Sequence, residues 1–125
     1  LFVSGEEKQF NYASQVWMIL AGAVSAEEGA EILDKVIALN PEKGMVSPYM
    51  THHFVEALLK CGKKEQAMDY MKYYWGGMLS HGADTFWELY NPENPAESPY
   101  GGSIVNSYCH AWSCTPTYLL RKYFN

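Results

Sequence analysis

Two very short joins constrain this chain more than any other feature. From Phe10 to Val24 the residues Phe10, Ala13, Val16, Trp17, Leu20, Ala21 and Val24 recur at intervals of three and four, which is one apolar helical face. The run breaks at Ser25-Ala26-Glu27-Glu28, a capping box in which Ser25 caps the amide of Glu28 and Glu28 reaches back to Ser25. A second helix follows with Ile32, Leu33, Val36, Ile37 and Leu39 inward, ending before Asn40-Pro41. After a loop from Glu42 to Pro48, the pattern repeats. A third helix from about Tyr49 to Lys60 buries Phe54, Val55, Leu58 and Leu59, and Cys61-Gly62 ends it. A fourth, from about Lys63 to Leu79, carries Ala67, Met68, Met71, Tyr74, Trp75 and Met78. Joins this short make each pair antiparallel neighbours. The predicted fold class is therefore all-α, with helical hairpins near residues 10–39 and 49–79.

The texture then changes. His81 to Gly102 is rich in Pro, Gly and Asn and lacks periodic apolar positions. At about 20 residues it exceeds the usual connection, and connections that long are commonly functional or disordered. Phe86, Trp87, Tyr90 and Tyr100 argue against disorder. Ser103 to Phe124 reads as helical again, with Pro116 as a kink or as the first residue of a new helix capped by Thr115. No repeat of fixed period is present.

Composition excludes several partners. The net charge is −5 with nine Lys and Arg, too acidic for a phosphate-binding face, so nucleic acid is not an expected partner. No apolar run approaches the roughly 20 residues of a membrane helix, so no membrane partner is expected. The chain opens Leu1-Phe2-Val3-Ser4 without Met, as a piece of a longer protein would, and as a mature protein also can. Three cysteines, Cys61, Cys109 and Cys114, do not make a disulfide framework and read as buried free thiols. Cys109, His110 and Cys114 match no zinc spacing. His52 and His53 point about 100° apart on a helix, so one exposed and one packed ring are expected rather than a shared ligand. No metal or cofactor is expected.

The most informative segment is Gly82-Ala83-Asp84-Thr85-Phe86-Trp87-Glu88. It sets two carboxylates around aromatics where a helix gives way to the loop. Glycoside hydrolysis needs carboxylates near the sugar and an aromatic wall to orient it. By spacing alone, Asp84 as a turn cap and Glu88 as a solvated acid account for the same residues. His110 followed by Trp112 can be a polar and stacking pair in a pocket, or a satisfied core histidine with its neighbour. Pro95, Ser98-Pro99 and Tyr100-Gly101-Gly102 either let backbone approach a ligand closely or form a rigid surface turn.

Five blocks resemble the C-terminal half of the catalytic domain of bacterial α-L-rhamnosidases, glycoside hydrolase family seventy-eight. They are Ser14-Gln15-Val16-Trp17-Met18-Ile19-Leu20-Ala21-Gly22; Gly44-Met45-Val46-Ser47-Pro48-Tyr49-Met50; Glu56-Ala57-Leu58 with Gly62 and Ala67; Gly82 to Glu88; and Gly102-Ser103 through Ser107-Tyr108-Cys109-His110-Ala111-Trp112-Ser113. Together they cover nearly the whole chain in order, and the fourth is the most specific. The resemblance implies that residues 1–125 are the C-terminal portion of an (α/α)6 six-hairpin toroid hydrolysing terminal α-L-rhamnosides with inversion. Glu88 closes the family's Gly-Ala-x-Thr-x-x-Glu pattern, so its implied role is the general base. His110 maps to a histidine that lines the sugar pocket, and Trp87 and Trp112 are expected as apolar walls for the methyl side of a 6-deoxy sugar. Asp84 is a further candidate for substrate binding, at a position where the family often has Thr. Leu89-Tyr90-Asn91 stands where an Arg often follows the Glu. The general acid is expected upstream of Leu1. The implied partners are a rhamnose-containing saccharide or glycoside and the rest of the catalytic domain; the compartment, bacterial cytoplasm or periplasm, stays open. Another six-hairpin glycosidase or related lyase is the nearest competing reading. A non-catalytic helical-repeat module, hinted at by Gly62-Lys63-Lys64-Glu65-Gln66-Ala67, is the more distant one. The isolated chain is expected to be inactive.

Overall fold

The structure, a computed structural model, describes residues 1–41 and 44–125, and of Ser103 the backbone alone. The loop expected over Glu42 to Pro48 therefore lies partly outside the described residues. Among those described, five α-helices are present: α1 (Tyr12–Leu20), α2 (Ala26–Leu39), α3 (Pro48–Lys60), α4 (Lys64–Ser80) and α5 (Pro116–Tyr123). Two 3₁₀ turns, Ser103–Val105 and Ala111–Ser113, punctuate the long loop before α5. The fold is all-α, as expected, and an isolated bridge between Ser4 and Gln9 is the one strand-like pairing among the described residues. No helix among them is long and apolar enough to cross a membrane.

α1, α2 and α3 start where a side chain takes up a free amide, whereas Lys63 before α4 and Thr115 before α5 make no side-chain cap, so the cap expected from Thr115 does not form although Pro116 does open α5. Asn11 Oδ1 accepts from Ser14 N at 2.8 Å, and Ser47 Oγ accepts from Met50 N at 3.2 Å with Pro48 in the first turn. The capping box of α2 forms as expected, with Glu28 N donating to Ser25 Oγ at 3.2 Å and Ser25 N to Glu28 Oε2 at 2.9 Å. Gly62, at φ +75°, closes α3 in the left-handed region that a side chain would strain. The two joins turn α1 onto α2 and α3 onto α4. α3 sits at the centre, packed against α1, α2, α4, α5 and the second 3₁₀ turn.

The buried stripes depart from the simplest periodicity at the outer helices. α1 runs only from Tyr12 to Leu20, and its buried residues are Gln15, Val16 and Ile19, while Phe10 and Trp17 are exposed. Gln15 can be buried because Phe2 satisfies it from both sides: Phe2 N donates to Oε1 and Nε2 donates to Phe2 O, each at 2.7 Å. α2 buries Leu33 and Val36, leaving Ile37 and Leu39 exposed. The stripes of α3 and α4 match expectation at Phe54, Val55, Leu58, Ala67, Met71, Tyr74, Trp75 and Met78, all buried, while Leu59 and Met68 at their edges are half-buried. The thiols differ from expectation: Cys61 is half-buried, and Cys109 and Cys114 are exposed.

The largest departure is the closing helix. Of the expected Ser103 to Phe124, only Pro116–Tyr123 is α-helical. Residues 107–110 instead lie beside 86–88. Glu88 N donates to Ser107 O and His110 N donates to Phe86 O, both at 2.8 Å, and Thr85 Oγ1 donates to Tyr108 O. Ser107 Oγ also bonds the backbone of Cys109, a local pairing that competes with helix. Backbone groups committed sideways in this way cannot close a helical ladder.

The loop is tied to the helices at its base. The Val46 carbonyl accepts from Tyr74 Oη at 2.6 Å and from Tyr90 N at 3.0 Å, joining the start of α3, the body of α4 and the loop just after Glu88. Tyr90 lies so close on α4 that a Cβ at Gly77 would stand 2.5 Å from its Oη and 2.8 Å from its Cε1. Tyr90 is buried and its ring is stiff, so it has little room to yield. Gly77→Ala should therefore overpack the joint and cost about 1–3 kcal/mol. Gly76→Ala, where nothing lies within 4 Å, is the control. Equal denaturation midpoints for the two variants would rule this out.

Candidate active site

Glu88 is half-buried on the rim of the fold and is held at both ends. Its backbone donates to Ser107 O at 2.8 Å and accepts from Trp112 Nε1 at 2.9 Å. Its carboxylate accepts from Ser107 N at 2.9 Å through Oε2 and from Tyr100 Oη at 3.0 Å through Oε1. The Ser107 amide holds the carboxyl below the usual carboxylate range; some loss of hydration pushes it back up, while the Tyr100 hydroxyl and the nearby His110 pull it down again. Glu88 is thus an ionised, hydrogen-bonded acceptor whose spare lone pairs can take a proton.

His110 and Trp112 come to Glu88 because the 107–110 segment lies against 86–88. Their rings stand 4.7 Å apart, tilted by 52°. Trp112 is 37% exposed, and its Nε1 holds the ring to the Glu88 backbone. Trp87 points elsewhere along the extended loop. Its ring meets Tyr108 at 5.1 Å and Tyr90 at 5.9 Å, both edge to face, and packs on the hydrophobic core. Asp84 is exposed in the turn after α4. So Glu88, His110 and Trp112 form one cluster, with Trp87 packed beneath its loop and Asp84 four residues back along the chain.

Tyr100 and Ser107 were not singled out by sequence as partners of Glu88. The only signal for Tyr100 was its place between Pro99 and Gly101-Gly102. That turn is stiffened by Ser98 Oγ, which accepts from Tyr100 N at 3.1 Å and donates to Asn106 Oδ1 at 2.7 Å. Trp112 also meets Tyr49 of α3 at 6.2 Å; Tyr49 meets His53 at 4.7 Å, and His53 meets Trp17 at 4.6 Å. An aromatic strip therefore runs from the Glu88 cluster across α3 to α1.

The His52–His53 pair departs from expectation. Both rings are half-buried, their centroids lie 4.9 Å apart, and one ligand atom from each of His52, His53 and Glu56 lies within 4.8 Å of the others. The 100° divergence applies to the Cβ atoms, and each ring is long enough to swing back over the helix. Glu56 already accepts from Lys122 Nζ at 2.8 Å and Tyr123 Oη at 2.9 Å, which ties α3 to α5. The cluster reads as an interhelical joint.

That joint gives the fold an acid sensitivity. Burial lowers both histidines, and His53 lowers His52 further, with Lys122 acting the same way and Glu56 opposing. The unfolded histidines bind protons below about pH 6.5 while the folded ones resist, so stability falls as pH falls through that value. Glu56 acts in the same direction. Burial pushes it up, but the bonds from Lys122 and Tyr123 win and leave it lowered, so its contribution persists at neutral pH and is lost only further into acid. The urea midpoint should drop between about pH 7.5 and 5.5, and replacing both histidines by Gln should flatten that slope. An unchanged slope in the double variant would remove the histidines as its cause.

No protein-family model matches the chain, and no curated protein matches it. Among solved structures the chain is similar to a rhamnosidase from Klebsiella oxytoca with rhamnose bound, at 45% sequence identity and a TM-score of 0.92. The similarity covers 98% of this chain and 24% of that one, so the chain spans about a quarter of that rhamnosidase's length.

Proposed function

We propose that this chain is the C-terminal portion of an (α/α)6 catalytic domain that hydrolyses terminal α-L-rhamnosides with inversion, and that Glu88 is its general base. The observation that carries the reading is an ionised carboxylate clamped on the rim beside Trp112 and His110, in a chain 45% identical over 98% of its length to part of a rhamnosidase. In this reading the rest of the catalytic domain is the chain's partner, and it supplies the general acid.

The chemistry follows from where Glu88 stands. Its free lone pair takes a proton from a water on the face of the sugar opposite the leaving group. The water oxygen bonds to the anomeric carbon as the glycosidic bond breaks, and the acid protonates the departing oxygen. Inversion leaves room for that water, so the acid should lie roughly 6.5–9.5 Å from Glu88. His110 and Trp112 orient the sugar: the imidazole meets a hydroxyl, and the indole face covers apolar carbon. Trp87 supports the loop and contributes the apolar wall behind it, and Asp84 lies at the edge of the bound sugar.

The test is hydrolysis of an aryl α-L-rhamnoside by the intact protein, against aryl glycosides of other sugars, with the first-formed anomer read by proton NMR. Selective cleavage releasing β-L-rhamnose is expected. Release of the α-anomer would end the general-base assignment, and preference for another sugar would end the substrate assignment.

A further inference from the structure

Two donors converge on the Glu88 carboxylate, and they differ in kind. Ser107 N is a backbone amide, fixed by the pairing of 86–88 with 107–110, and it holds Oε2 at 2.9 Å. Tyr100 Oη is the end of a side chain from a separate turn, and it holds Oε1 at 3.0 Å. Tyr100 is 54% exposed, so its ring contributes little to the core, and its position is set by the Ser98 contacts within its own turn. A phenol that has an exposed location and still aims its hydroxyl at a clamped carboxylate has one evident use.

We propose that Tyr100 is a positioning residue for Glu88, fixing the second carboxylate oxygen so that the group meets its water in one orientation. The inference rests on the reading of Glu88 as general base. With Ser107 N alone, the carboxylate can pivot about Oε2. A second donor on Oε1 removes that freedom and leaves one lone pair on each oxygen for a water proton. It also favours the charged form, because a hydroxyl donating to a carboxylate is a charge-assisted bond. The electrostatics of the pair agree on the direction of donation. The Tyr100 hydroxyl is pushed up, first by its bond to Glu88 and then by the carboxylate's charge, while the same bond helps hold Glu88 down.

Tyr100→Phe removes the hydroxyl and keeps the ring. The first measurement needs no activity: the Glu88 carboxyl carbon is titrated by NMR in the intact protein and in its variant. Its midpoint should move to higher pH in Tyr100→Phe, and an unmoved midpoint overturns the proposal. The second is the pH profile of kcat/KM in the intact enzyme. The acid limb, where the base is lost to protonation, should move up, the alkaline limb should stay, and kcat at the plateau should fall about 10- to 150-fold, the worth of one hydrogen bond to a charged group. A uniform loss with both limbs in place overturns the positioning role, since a purely structural or substrate contact would behave that way. Glu88→Gln keeps this failure distinct from failure of the general-base reading. Added to Glu88→Gln, Tyr100→Phe should cost nothing further, because it acts only through the carboxylate. A Glu88→Gln enzyme with wild-type turnover instead overturns the reading of Glu88, and the positioning role with it.

Discussion

Glu88→Gln should lower kcat of the intact hydrolase by about 10²–10⁴-fold, with a smaller effect on KM, as expected when a general base is removed. Gln keeps the shape: its one carbonyl oxygen can accept from Ser107 N, and its NH2 can donate to Tyr100 Oη, the two groups that bond the carboxylate oxygens at 2.9 and 3.0 Å. The loop should therefore hold its conformation while the group loses its capacity to take a proton. Azide needs no base, so adding it should partly restore cleavage of an activated α-L-rhamnoside and yield the β-rhamnosyl azide. That product carries the stereochemical signature of a direct displacement. Wild-type turnover in the variant, or an α-azide, would remove Glu88 from the role.

The second large effect is on stability, at Trp75. This residue of α4 is 4% exposed, and its Nε1 donates to Ser113 O at 2.9 Å and to Ser113 Oγ at 3.2 Å. Ser113 is fully buried, so Trp75→Phe leaves its carbonyl and hydroxyl without their donor and opens a void where the indole's second ring was. The two costs together come to about 2–4 kcal/mol, from the cavity and from the unsatisfied polar atoms. For a domain whose total stability is typically about 5–15 kcal/mol, that is a large share. The unfolding midpoint should fall by about 10 °C or more. Ser113 is the residue after Trp112, so the loss should also show in amide exchange, with protection fading over 110–114 before the helices open. A midpoint within about 2 °C of wild type would mean that the 3₁₀ turn does not depend on this anchor.

How much of this was legible in advance differs by element. Helix–helix pairs whose signals are local were readable from the chain: the capping box at Ser25 and Glu28, the Gly62 terminator, and the apolar stripes of α3 and α4 all arise from residues within a turn or two of one another. Such contacts form wherever the sequence sits, so spacing alone specifies them. The same locality marked 81–102 as a loop, by its lack of periodicity, whereas Glu88 stood out only through the family resemblance, since spacing alone left it a solvated acid.

The rest depended on residues far apart in sequence. Whether 103–115 became helix was settled by Ser107 and His110 pairing with Glu88 and Phe86 about 20 positions earlier, which no local propensity encodes. The companions of Glu88 were settled in the same way. Tyr100 and Ser107 reach it from 12 and 19 residues along the chain, and Trp112 from 24. Trp17, an apolar residue on a periodic face, stayed partly exposed because α1 rotates to bury Gln15, whose amide found Phe2 as a partner. Sequence by itself determined the two helical hairpins and the loop that follows them, because those are written in neighbours. Tertiary structure alone decided which groups surround the acid and hold it ionised, because hydrogen bonds between distant segments form only once the helices have brought those segments together.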